Sequence, residues 1–154
     1  EIETACKEKN GCLVYSSNYS IGVNLFFELN KYLAKLMDPY TDYDVSMTEI
    51  HHTEKKDAPS GTAISLAEQI LANLRRKDQW INDQTAASNQ LLIHSERIDP
   101  APGTHQVKYS SSIDDIEIIH TAHTRKGFAS GAVLAAEFAI QKNGIFTMKE
   151  VLGL

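Results

Sequence analysis

The chain has 154 residues and a formal net charge of −5 at pH 7, from 15 Lys and Arg against 20 Asp and Glu. That length fits one compact fold with a substantial core, and an acidic balance without any Lys/Arg run argues against nucleic acid as a partner. No apolar run approaches the roughly eighteen residues of a membrane span, the N-terminus shows no signal-peptide pattern, and Cys6 and Cys12 lie too near one end to form a disulfide framework; a reducing, cytoplasmic setting with no membrane partner is expected.

In chain order, residues 1–11 read as a polar helix stopped by Asn10-Gly11, followed by a short apolar strand over Cys12–Tyr15 and a polar loop over residues 16–20. From Gly22 to Met37, Leu25, Phe26, Leu29, Leu33 and Leu36 keep helical spacing, and Asp38-Pro39 ends that helix. Asp44 to His52 alternates as a strand. Lys55 to Pro59 is a loop, and Thr62 to about Arg76 is a second amphipathic helix, with Arg75-Arg76-Lys77 at its negative end. Residues 77–90, which include Trp80, read as a surface loop. Strands are expected at Leu91–Arg97, His105–Ser110 and Ile116–His123. A turn-rich Asp99-Pro100-Ala101-Pro102-Gly103 precedes the second of these. An Ala-rich helix over Ala129–Gln141 stops at Asn143-Gly144, and Thr147 with Glu150 forms a capping box for a last turn of helix. Helices mixed with mostly non-βαβ strands give an α+β fold.

The chemistry concentrates in Glu49–Ala63, where two adjacent histidines, a lysine and a Ser-Gly-Thr helix start fall within fifteen residues. Neighbouring strand residues face opposite sides, so His51 and His52 share a cleft only if the strand ends between them. An imidazole exchanges protons near neutral pH. The ammonium of Lys55 can fix an anion or polarise a C=O or C=N bond. Ser60 is a good N-cap, Gly61 allows close approach to the backbone, and the open amides of a first helical turn favour a carboxylate. Each feature has an ordinary structural explanation alone; the case rests on the cluster. A zinc site on Glu49, His51 and His52 is a poor reading, since His-Glu-x-x-His is absent, and no metal is expected. His94, His105, His120 and His123 each carry a structural reading beside a functional one.

The pattern Glu-x-His-His-x-x-Lys-x-Asp-Ala-Pro-Ser-Gly-Thr-Ala over Glu49–Ala63 resembles the 4-hydroxy-tetrahydrodipicolinate (dihydrodipicolinate) reductases of bacterial lysine biosynthesis. The likeness extends to residues 16–22, to Arg125–Val133 and to the Phe146–Leu152 ending. It implies an open mixed sheet flanked by helices, the substrate-binding and oligomerising part of a homotetramer assembled through the sheet. It implies His51 and Lys55 as acid–base partners, His52, Gly61 and Thr62 as substrate contacts, and Ser16, Ser17, Asn18 and Tyr19 as the cofactor edge. Arg125 and Phe128 match positions near the cofactor in some members. The reaction implied is NADPH- or NADH-dependent reduction of a cyclic dicarboxylate.

The Gly-rich turn of a dinucleotide-binding domain is not found in this chain. The resemblance therefore implies that residues 1–17 are the last helix and strand of an N-terminal Rossmann-type domain otherwise absent, which would bind most of the cofactor. Residues 18–127 then form the substrate and oligomerisation domain, and 128–154 a helix returning to the nucleotide domain with part of its apolar face exposed. Three hypotheses follow: the catalytic half of the reductase, inactive by itself; a dicarboxylate-binding and oligomerisation module without turnover; and, weakest, a metal hydrolase using His51 and His52.

Overall fold

The structure, a computed structural model, describes residues 1–154. Its elements are α1 (Ile2–Glu8), β1 (Cys12–Tyr15), α2 (Ile21–Met37), β2 (Asp44–His51), α3 (Gly61–Asn73), β3 (Gln79–Ile81), β4 (Gln90–Arg97), β5 (Gly103–Ser110), β6 (Asp115–Ala122), α4 (Lys126–Ala139), β7 (Gly144–Thr147) and α5 (Met148–Leu152). Local chemistry sets several boundaries. Asn10 turns left-handed (φ 50°) after α1. The Thr147 side chain and Glu150 close the expected capping box on α5, and Gly153 ends that helix at φ 69°. No helix is long and apolar enough to cross a membrane.

Two strands depart from the sequence reading. β3 lies inside the segment expected to be a loop, pairing Trp80 with Leu91. β7 lies between Asn143 and the capping box, parallel to β1, with Val14 opposite Phe146. With three and four residues, neither strand is long enough to display an alternation. A third departure concerns residues 75–77. α3 ends at Asn73, so these cations are not its charged last turn. Instead the Arg75 side chain bonds Asp38, and Arg76 holds the carbonyls of Met37, Asp38 and Tyr43. Lys77 is buried, its ammonium on the carbonyls of Ser88 and Gln90 and on Asp44.

The chain divides into two compact units, Glu1–Leu25 with Arg125–Leu154, and Phe26–Thr124. The first is built on the parallel β1–β7 pair, with the Cys6 thiol donating to Gly11 O at 3.1 Å. Here α4 meets the loop after β1 so closely that a Cβ at Gly131 would lie 1.8 Å from Tyr19 O. Val133 and Ile140 on α4 are exposed.

The second unit is an open sheet in the order β3-β4-β2-β5-β6. β3, β4 and β2 run parallel, whereas β5 and β6 are antiparallel additions. Alternation in β2 buries Val45, Met47, Glu49 and His51, and in β5 it buries His105, Val107 and Tyr109. α3 contributes Ala63, Leu66, Ala67 and Ile70 to that core. Asn30 of α2 is tied to α3 through a 3.1 Å bond to Leu66 O. Helices flanking an open mixed sheet make this an α+β fold.

Candidate active site

The inward phase of β2 carries two polar side chains at its C-terminal end, and β2 stops at His51, which leaves His52 outside the strand. Glu49 is 1 % exposed. Both its oxygens accept from the Ser60 N–H at 3.1 Å. Oε1 also accepts from the Ser95 hydroxyl at 2.8 Å and Arg97 Nη2 at 3.1 Å. Oε2 lies 3.2 Å from His51 Nδ1. Burial pushes this carboxyl upward, but the close approach of His51 and the donors from Ser60, Ser95 and Arg97 outweigh it and hold Glu49 well below the usual carboxylate range. A buried anion is tolerable because it is so fully paired.

Sheet register sets histidines beside it. His105 pairs with Glu49 across β2–β5, and His120 with His105 across β5–β6. The His51 and His105 rings meet edge-on with centroids 5.1 Å apart. His105 is 5 % exposed. Its Nε2 lies 3.2 Å from Ser60 Oγ and 3.9 Å from Glu49 Oε2. Burial, reinforced by the charge His51 carries when protonated, lowers its pKa to about 4 against the opposing pull of Glu49. Burial likewise lowers His120, whose ring packs against Phe26. Sequence reasoning gave His105 no preference over a structural histidine. The usable signal was phase: it shares the inward side of β5 with Val107 and Tyr109. His123 falls beyond the end of β6, and His94 is exposed on β4, near Glu96.

The other face of His51 is cleared by a glycine. A Cβ at Gly103, whose φ is +156°, would lie 3.1 Å from His51 Nε2. Gly103, expected only as part of a turn, opens β5 and leaves room at that nitrogen.

At the helix start Ser60 acts as predicted. Its side chain accepts from Ala63 N–H, and its own N–H goes to Glu49. The cradle expected for an outside anion is thus partly filled from within, and the exposed tip of α3 is Gly61. Thr62 is buried. Lys55 Nζ does not stand free over the cleft: it holds Asp57 at 2.8 and 2.9 Å. That ion pair, led by the hydrogen bond from Lys55, lowers the Asp57 carboxyl. Lys55 still acts on this cluster, since its charge helps to lower His105. Arg97 braces the loop through the carbonyls of Lys55 and Asp57. His52 lies close enough to Asp99 to help lower its carboxyl, although Thr53 supplies the main cause.

In the other unit, residues 16–19 follow the C-terminal end of β1, where ligands of α/β-type strand edges bind. The loop is rigid. Ser16 Oγ donates to Asn18 O at 2.7 Å, Asn18 Oδ1 accepts from Ser20 N–H at 2.9 Å, and Tyr19 OH donates to Val14 O at 3.0 Å. These bonds take up side chains and the backbone of Asn18 alike, which makes residues 16–20 a self-bonded turn at the end of β1.

Glu49, His51 and His105 also present ligand atoms within 4.8 Å of one another. This is a different trio from the one the sequence suggested. Its carboxylate already accepts from an amide, a hydroxyl and a guanidinium, and a cation placed there would face Arg97. The donor set suits an internal ion-pair network better than a metal.

An open mixed sheet flanked by helices, with a buried acid–base cluster at a strand end tied to the start of the next helix, defines the class as an α+β domain. The chain belongs to the dihydrodipicolinate reductase family: the model described as "Dihydrodipicolinate reductase, C-terminus" matches residues 22–152. It is 53 % identical over 147 residues to a 4-hydroxy-tetrahydrodipicolinate reductase of Christiangramia forsetii, covering 96 % of this chain and 61 % of the relative. It is 40 % identical over 156 residues to that of Methanosarcina barkeri, covering 99 % and 58 %. A solved dipicolinate-bound dihydrodipicolinate reductase from Paenisporosarcina sp. TG-14 shares the fold with a TM-score of 0.67 at 23 % identity, over 94 % of this chain and 56 % of that one. The chain spans about three-fifths of the length of the curated relatives it matches.

Proposed function

We propose that this chain is the substrate-binding, proton-donating part of an NADPH- or NADH-dependent reductase that converts 4-hydroxy-tetrahydrodipicolinate to tetrahydrodipicolinate in lysine and diaminopimelate biosynthesis. The observation that carries this reading is the joining of His51, at the end of β2, to the first turn of α3 through the single carboxylate of Glu49. His51 and that helix start are thereby linked through one side chain, within a family whose named relatives are such reductases. The structural relative is a dipicolinate-bound protein, and a planar ring with two carboxylates suits the exposed amide tip at Gly61 and the cation of Lys55 on the loop that leads to it.

In this reading the nicotinamide, edged by Ser16, Ser17, Asn18 and Tyr19, supplies a hydride when bound. The chain's own residues do the rest. Gly61 and Thr62 hold one carboxylate at the helix start, and His52 contacts the substrate. Lys55 neutralises negative charge on the ring, leaving Asp57 when substrate arrives. His51, protonated on both ring nitrogens, delivers a proton from Nε2, the nitrogen on the Gly103 side. The protein works in the cytoplasm as a homotetramer formed through the open sheet, and the chain alone lacks turnover. The domain division at residues 17/18 and 127/128 belongs to the same proposal.

The test is a titration of the chain with pyridine-2,6-dicarboxylate, beside an assay of NADPH oxidation with the cyclic substrate. Dicarboxylate binding that weakens in Lys55→Ala supports the reading. Binding without turnover favours the module form of it, and turnover favours the complete reductase. No dicarboxylate binding at millimolar concentration would sink both.

A further inference from the structure

Glu49 is the carboxylate of the cluster, bonded by Ser60, Ser95 and Arg97, and no proton or charge step proposed above falls to it. Its donors are not equivalent. Ser95 Oγ and Arg97 Nη2 approach Oε1, so that oxygen is pinned on the β4 side. Oε2 is left turned toward the histidines, 3.2 Å from His51 Nδ1. That Nδ1 is shut off from water and makes no well-aligned hydrogen bond of its own. A bare lone pair there would face the lone pairs of an anion across 3.2 Å in a desolvated site, where such repulsion is strong. An N–H there is attracted even off-axis.

The other groups around the ring do not reverse this. Gly103 of β5 presents no side chain to Nε2. His105 meets the ring edge-on from β5 and is itself bonded to Ser60. Lys55, from the loop, is paired with Asp57.

We propose that Glu49 is a positioning residue: oriented by Ser60, Ser95 and Arg97, its carboxylate fixes neutral His51 as the Nδ1–H tautomer and reserves Nε2 for proton exchange. Free imidazole leans the other way, toward Nε2–H, so this state has to be imposed by the protein. It is the same logic by which a buried carboxylate orients the imidazole of a hydrolase triad. Because the same carboxylate accepts the Ser60 N–H, it also locks the ring to the helix start that would hold the substrate. The inference rests on the reading of His51 as proton donor.

The experiment is ¹⁵N-labelled NMR of the unliganded 154-residue chain at alkaline pH, reading the two ring nitrogens of His51. The pyrrole-type shift is expected on Nδ1. In Glu49→Gln, the donors Ser95 and Arg97 fix the amide oxygen at the Oε1 position and turn the NH₂ toward His51. The pyrrole-type shift should then move to Nε2. A wild-type ring protonated on Nε2 overturns the proposal, as does a Glu49→Gln ring that keeps Nδ1–H. If Glu49→Gln fails to fold, the wild-type assignment alone decides. Pyridine-2,6-dicarboxylate binding on the same wild-type sample separates this from the parent reading. An Nδ1–H tautomer without binding keeps the positioning and sinks the pocket, whereas binding with an Nε2–H tautomer does the reverse.

Discussion

A Cβ built on Gly61 meets nothing within 4 Å, while one built on Gly103 meets the His51 ring at 3.1 Å from a backbone at φ +156°. The two glycines therefore answer to different demands. Neither packing nor backbone strain requires glycine at 61, and in the proposed reading its bare backbone serves a ligand. Gly61→Val should leave stability within about 0.5 kcal/mol of wild type, yet weaken pyridine-2,6-dicarboxylate binding by tenfold or more, about 1.4 kcal/mol. Calorimetric titration beside urea unfolding checks both halves, and an unchanged affinity would remove the helix start from the site. Gly103→Ala should do the opposite. It should cost stability, roughly 1–3 kcal/mol for a non-glycine residue held at that φ, and shift the His51 ring signals even without ligand. The sequence motif disclosed Gly61 because it lies inside a contiguous pattern. Gly103 acts on His51 from 52 positions away, and only the antiparallel register of β2 and β5 brings it there.

The start of α3 joins local and long-range chemistry in one element. Ser60 was legible as an N-cap from its place before an apolar periodic run, and its hydroxyl does take the Ala63 amide. What local sequence could not disclose is that the same hydroxyl lies 3.2 Å from His105 Nε2 and that the Ser60 amide is spent on Glu49. Those contacts depend on which strand lies beside β2. Ser60→Ala should thus cost more than the roughly 1 kcal/mol of an ordinary cap. It also strips a partner from a buried imidazole, a loss of about 1–3 kcal/mol. A urea midpoint shift equivalent to about 2 kcal/mol or more is expected, with Ser60→Thr recovering most of it. A loss no larger than a plain cap would mean the His105 contact contributes nothing. The same distinction explains β3 and β7: each is held by a parallel partner distant in sequence, Leu91 for Trp80 and Val14 for Phe146. Longer elements such as α2, β2 and α3 carry enough apolar repeats to be read directly. Lys77 shows the limit from the other side, since three cations after a helix look like a charged end until the fold buries one of them.

At the scale of the molecule, the buried cluster makes folding stability a function of acidity, with a sign that follows from the direction of each shift. His105 has its folded pKa lowered from 6.5 to about 4. Between those values the unfolded chain binds a proton that the folded chain refuses, so stability is complete above pH 6.5 and drains as pH falls toward 4. Glu49 is also depressed in the folded state, so its contribution is present above the ordinary carboxylate pKa and is lost below it. Acid should therefore act in two stages, histidine first and carboxylate second. From pH 7 to pH 5 the His105 stage alone removes on the order of 2 kcal/mol, at about 1.4 kcal/mol per pH unit once below the unfolded value. His105→Gln keeps an acceptor for the Ser60 hydroxyl and has no proton to refuse. Its urea stability should start lower at pH 7 yet fall less steeply to pH 5, with His120 left to supply the remaining histidine slope, converging on wild type. Parallel slopes for the two proteins over that interval would show that His105 accepts a proton in the folded state, and the packing of Glu49, Ser60 and His51 around a neutral ring would have to be abandoned.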